Sequence, residues 1–236
     1  MNMFIKMCVF LVLLFYAFIF IYRVPKYALF KAVIITSMRV LIVSFSVTAI
    51  HLLALLGTKS SIVALHIKAW FTGCIEEYCR TKWIILFQRD LSDKKQLKDL
   101  VLGVAFLYGF IEVTIISFGL FSNDLSVITD FIAGNLSHHS GRVVWPSSYR
   151  LSILLLISFI VRYYIHKAYL SAAVLSLIEK NNFLFTSVLL IHGFTNVLFI
   201  QGVADDINRY VYVLFFVQII VICLIIFGLK FRKLSW

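Results

Sequence analysis

The chain has 236 residues, 62% of them hydrophobic and 14% charged, with a mean hydropathy of +0.98. That composition leaves no polar block large enough for a soluble domain and implies one integral membrane domain over 1–236 whose solvent is the lipid bilayer. The net charge of +11 would suit nucleic acid, but Lys and Arg collect in short connections at the ends of apolar runs, where anionic headgroups attract them, so no nucleic-acid partner is expected.

Hydropathy draws seven helical spans, at 3–22, 32–57, 61–87, 100–121, 151–177, 183–203 and 210–229, which predicts an all-α fold, a polytopic membrane helix bundle. The first span lacks the small-residue cleavage site of a signal peptide and runs into Arg23 and Lys26, so it reads as a retained span. Basic residues fill alternate connections: Arg23, Lys26 and Lys31, then Arg89, Lys94, Lys95 and Lys98, then Lys180, then Lys230, Arg232 and Lys233. The other connections hold only Lys59, Arg142, Arg150 and Arg209. The bias predicts an outside N-terminus and an inside C-terminus. The long connection 122–150 is then external, and its Gly, Ser, Asn and Pro content reads as an irregular loop or lid. It holds His138, His139 and the glycosylation sequon beginning at Asn135.

Four ionisable clusters interrupt the apolar spans, and charges in lipid are costly enough to make function the first suspicion. The third span carries Glu76, Glu77 and Arg80; the fourth, Glu112; the fifth, Arg162 and His166; the sixth, His192 and Asn196. At 1.5 Å per residue, Glu76 lies about 18 Å from the cytoplasmic end of its span and Glu112 about 18–20 Å along the next; His166 and His192 fall at about 16–20 Å and about 14 Å. Four antiparallel helices thus bring their polar groups to one layer. Glu76 and Glu77 both reach Arg80 at helical spacing, and an ion pair lowers the cost of keeping a carboxylate charged in a low-dielectric site. Arg162 and His166 are four apart, as are His192 and Asn196, so each pair shares a face. Glu112 has no basic neighbour on its own helix. Arg39, His51, His66 and Lys68 lie nearer the span ends, where snorkelling to the headgroups is expected. Cys8, Cys74, Cys79 and Cys223 show no paired spacing, and packing is their expected role.

In this order and spacing the motifs resemble those of the PrsW-type intramembrane proteases, within the superfamily that includes the CAAX prenyl proteases and the CPBP (Abi) proteins. Glu76-Glu77-Tyr78-Cys79-Arg80 resembles the EExxK motif with Arg for Lys. Gly109-Phe110-Ile111-Glu112, preceded by Asp99 and Gly103, resembles the second motif, with Val113 where an Asn usually follows. Arg162 and His166 resemble the later basic-plus-histidine helix, and His192-Gly193-Phe194-Thr195-Asn196 resembles the last motif, also the HxxxN of the CAAX branch. The resemblance covers a protease-like core of about 61–203.

It implies a protein of the bacterial cytoplasmic membrane that hydrolyses a peptide or membrane-anchored protein substrate with glutamate-activated water. It assigns Glu76 as base and Glu77 as its partner or alternate. His166 and His192 would stand near the water or oxyanion, Asn196 would donate to the oxyanion, Glu112 would orient a histidine, and Arg80 and Arg162 would give electrostatic support. No cofactor is required; zinc is possible, held by Glu76, Glu77, His166 and His192 with one position open for water. The alternatives are a non-catalytic scaffold or bacteriocin-immunity-type protein of the same superfamily and, third, a proton-coupled transporter, which would need internal repeats and discontinuous helices that the sequence does not display. Gly73, Gly109 and Gly193, beside the motifs, are expected to serve close helix packing. Substrate and oligomeric state are not written in the chain.

Overall fold

Pro25 cannot continue the first helix, and its carbonyl accepts the first bond of the second, from the Leu29 amide at 3.0 Å. From such boundaries the computed structural model, which describes residues 3–58, 61–88, 93–122, 149–205, 216, 217 and 219, builds six helices. They are α1 (Met3–Arg23), α2 (Lys26–Thr58), α3 (Ser61–Phe87), α4 (Lys94–Ser122), α5 (Tyr149–Ile178) and α6 (Asn182–Asp205). The described chain is all-α, as expected. The seventh span at 210–229 is almost wholly outside the described residues, as are His138, His139 and Asn135. Among the described residues no helix is long and apolar enough to cross a membrane. In α1 the side chains described are those of residues 10–19 and 22, about half of the helix.

Both α2 and α4 begin six residues earlier than hydropathy suggests, because a helix start is set by its cap rather than by polarity. Asp93 caps α4: its carboxylate accepts from the Gln96 amide at 3.0 Å and its carbonyl from the Leu97 amide at 3.1 Å. The early turns are then tied down. The Tyr27 hydroxyl donates to the Asp99 carboxylate, and the Lys31 ammonium to the Phe87 carbonyl at the end of α3, at 3.3 Å.

The α5–α6 joint is a Schellman turn: the Asn181 amide bonds the Ser176 carbonyl at 2.8 Å and the Lys180 amide the Leu177 carbonyl at 3.1 Å. Asn181 in turn caps α6 through its side chain, 2.9 Å from the Leu184 amide. Lys180 holds the left-handed position, φ 56°, which a Cβ penalises. Lys180→Gly is therefore expected to raise stability by about 1 kcal/mol, read as a higher denaturant midpoint in detergent micelles; an unchanged or lower midpoint would refute the turn.

The helices α2, α3, α6, α5 and α4 follow one another around a ring, α3 also reaching across to α4 and α5, while α1 lies outside against α4 and α5. Where α2 and α4 begin and α3 and α5 end, Ile35, Ile84, Leu97, Leu100, Val104, Leu170 and Val174 form a dry apolar plug. Small residues permit the closest approaches. A Cβ on Gly103 would stand 3.3 Å from that of Ala32, and one on Gly109 would stand 3.1 Å from the Tyr16 hydroxyl and 3.2 Å from the Tyr163 backbone. Tyr16, fully buried, anchors α1 by donating to the Phe159 carbonyl at 2.7 Å. Large apolar side chains point outward from five helices, among them Phe10, Phe30, Leu86, Ile153 and Phe194.

Candidate functional site

The site is set by the crossing of α3 and α6. Both helices present glycine at that point: a Cβ on Gly73 would fall 2.8 Å from the Gly193 Cα, and one on Gly193 would fall 2.6 Å from the Trp70 carbonyl oxygen. Backbones in contact here place His192 beside the helical turn that follows Gly73, which carries Glu76 and Glu77. The expected packing role of Gly73, Gly109 and Gly193 is thus visible in atomic detail.

From that crossing a chain of polar contacts runs through four helices. Arg162 Nη1 lies 2.9 Å from Glu112 Oε1, and Glu112 Oε2 lies 2.7 Å from His166 Nε2. His166 Nδ1 is 3.1 Å from Arg80 Nη1, and Arg80 Nη2 pairs with Glu77 Oε2. Glu77 Oε2 is 3.0 Å from His192 Nδ1, which is also 3.4 Å from Arg80 Nη2. The chain ends at His192 Nε2, 3.9 Å from Glu76 Oε2.

These partners dictate the tautomers. A guanidinium only donates, so His166 Nδ1 accepts from Arg80, and its proton sits on Nε2, donated to Glu112. A carboxylate only accepts, so His192 Nδ1 carries a proton donated to Glu77, and Nε2 presents a lone pair toward Glu76. At 3.9 Å that last pair is too far apart for a direct hydrogen bond, a spacing that invites a bridging water.

Glu76, Glu112, Arg162, His166, His192 and Asn196 all line one cavity, whose interior offers about 30 Å³ to the centres of water-sized molecules, room for a water by the usual measure. Glu77 and Arg80 are fully buried behind this wall. Of the two roles considered for Glu77, partner or alternate base, the geometry suits the partner. Glu112, without a basic neighbour on its own helix, finds Arg162 and His166 on α5.

Aromatic rings hold the imidazoles. Tyr169 stacks on His192 at 4.8 Å with planes 10° apart. Its hydroxyl lies 2.8 Å from Thr195 Oγ1, whose own proton goes to the Ile191 carbonyl, so Tyr169 donates. The Arg80 guanidinium sits 4.1 Å over the Tyr108 ring, a cation–π contact. Neither tyrosine was singled out from the sequence, though Tyr108 is four residues before Glu112 and Tyr169 three after His166, spacings that put them on the same faces.

Lys68 corrects the snorkelling expectation: it is completely buried. It sits on the central helix of the ring, with α2 and α6 on either side, so even a residue near the start of α3 faces protein. It lies two turns before Glu76, about 12 Å along the axis. His66 is half-buried, and the side chains of Arg39 and His51 are outside the described residues. The Cys74 thiol donates to the Leu189 carbonyl at 3.3 Å and Cys79 is buried, both as free thiols.

Of the four residues considered for zinc, three lie against a guanidinium. The inward atoms of His166, His192 and Glu77 all turn onto Arg80, so a fixed guanidinium occupies the position they share, and His166 Nε2 is committed to Glu112. Among the described residues no group of three or more His, Cys, Asp or Glu side chains could hold a metal ion.

Comparison of the chain with protein-family models, curated proteins and solved structures finds no match to any of them.

Proposed function

We propose that the protein is a bilayer-embedded hydrolase that cleaves a peptide bond with water activated between Glu76 and His192. The observation that carries the reading is the 3.9 Å gap between Glu76 Oε2 and His192 Nε2, on the wall of a cavity that has room for water. In the proposed step Glu76 takes a proton from the water as its oxygen bonds to the scissile carbonyl carbon. The Asn196 amide donates to the resulting oxyanion. When the C–N bond breaks, the proton held by Glu76 passes to the leaving amine. Glu77, held by Arg80, fixes the His192 tautomer, and Glu112, held by Arg162, fixes that of His166.

Three further features support the reading. The outward apolar side chains suit lipid contact, and Lys26, Lys31, Lys94, Lys95, Lys98 and Lys180 gather at one end of the bundle, as inside-facing loops do. The apolar plug closes the cavity toward that end, which suits a reaction chamber and opposes a transport path. The four motifs resemble those of PrsW-type proteases in order and spacing.

The test is peptide mapping by mass spectrometry after incubating purified wild type and Glu76→Gln with a mixture of membrane-spanning peptides. The wild type is expected to cut specific bonds, and Glu76→Gln to lose about 10²-fold or more of that rate at equal folded abundance. Biological function that survives Glu76→Gln would assign the polar network to a scaffold instead.

A further inference from the structure

Helix α2 carries no ionisable motif near the site, yet it places one hydroxyl on the cavity wall. Thr36 is 4% exposed and lines the same space as Glu76, His192 and Asn196. Helical threonines commonly return their hydroxyl to the carbonyl one turn back, and Thr72, Thr81, Thr114 and Thr195 do so at 2.7–2.8 Å. Thr36 Oγ1 makes no hydrogen bond among the described residues. Its neighbours Ala32 and Ile35 belong to the apolar plug, so a valine would fill the same volume without burying an unpaired hydroxyl, an unfavourable arrangement.

The cavity's charges narrow the ligand. Glu112 already faces Arg162 and His166, an anion would meet Glu76 and Glu112, and a cation would meet Arg162. A neutral amide carbonyl is a group that a lone hydroxyl on the same cavity wall as Asn196 can bind. We propose that Thr36 is a substrate-contact residue whose hydroxyl donates a hydrogen bond to a backbone carbonyl oxygen of a peptide held in the cavity. The ligand class rests on the hydrolase reading; the contact rests on the cavity and the unpartnered Oγ1.

The experiment uses the full-length protein in detergent micelles and the variants Thr36→Val and Thr36→Ser. Without ligand, Thr36→Val is expected to melt at or above the wild-type temperature, since no structural hydrogen bond is lost. N-acetyl-leucinamide, a neutral peptide-bond mimic, is expected to raise the melting temperature of wild type and Thr36→Ser but not of Thr36→Val. On any peptide the wild type cleaves, Thr36→Val should lower kcat/KM by about 10-fold, the value of one neutral hydrogen bond, and Thr36→Ser should restore it. A lower melting point for unliganded Thr36→Val would overturn the proposal by revealing a structural partner, as would a mimic that shifts neither protein or both equally. A wild type that responds to the mimic yet cleaves nothing would sink the hydrolase reading and leave Thr36 as a carbonyl contact.

Discussion

Arg80→Met should destabilise the folded protein by about 3–5 kcal/mol and abolish the activity of the site. Arg80 is fully buried and donates to two acceptors at once, Glu77 Oε2 and His166 Nδ1, with His192 close by and the Tyr108 ring beneath it. Methionine keeps much of the length and removes the charge. Glu77, also fully buried, is then left with His192 as its donor, and an uncompensated buried carboxylate is far more costly than the pair was beneficial. The double variant Glu77→Gln/Arg80→Met should recover most of the lost stability, with a coupling on the order of 2–3 kcal/mol. Activity should not return with it, because His192 then lacks the carboxylate that holds its Nδ1 proton. Denaturant titrations of the four proteins in micelles measure the cycle. A single variant as stable as wild type would mean that Arg80 is not the hub of the network.

That hub was legible in the sequence because a charge inside an apolar run is rare, and three-residue spacing forces Glu77 and Arg80 onto one helix face. The lack of a cation on its own helix left Glu112 either to pair across helices or to be protonated, and the sequence did not choose between these; the structure pairs it with Arg162 and His166 on α5. Hydropathy gives depth along a helix and says nothing of its rotation. Lys68 was therefore misread: its place near the start of α3 suggested the rim, while the packing of α2 and α6 around α3 buries it. Tyr108 and Tyr169 were hidden for a related reason, since tyrosines are common in this chain and only their register with Glu112 and His166 distinguishes them. Thr36 offered no signal at all on an apolar helix. The starts of α2 and α4 were missed because Pro25 and Asp93 set them through backbone geometry and capping, before the chain becomes apolar.

Gly193→Ala separates helix propensity from packing and should have the second large effect. By propensity alone, alanine in place of a helical glycine gains about 0.5–1 kcal/mol, and Gly57→Ala, where a Cβ meets nothing within 4 Å, is expected to show that gain. At Gly193 the same methyl would stand 2.6 Å from the Trp70 carbonyl oxygen and 2.8 Å from the Cys74 sulfur. The thiol can turn aside; the carbonyl is fixed in α3. To reach ordinary contact the helices must part by about 0.8–1 Å, which stretches the 3.0 Å bond between His192 and Glu77 beyond hydrogen-bonding distance. Overpacking should cost about 1–3 kcal/mol, and a displacement of this size at the reacting groups about 10²-fold in rate. Melting temperatures of the two alanine variants, together with cleavage rates, read both effects. If Gly193→Ala gains stability as Gly57→Ala does, α3 and α6 do not cross in backbone contact, and the placement of His192 against Glu76 and Glu77 falls with that crossing.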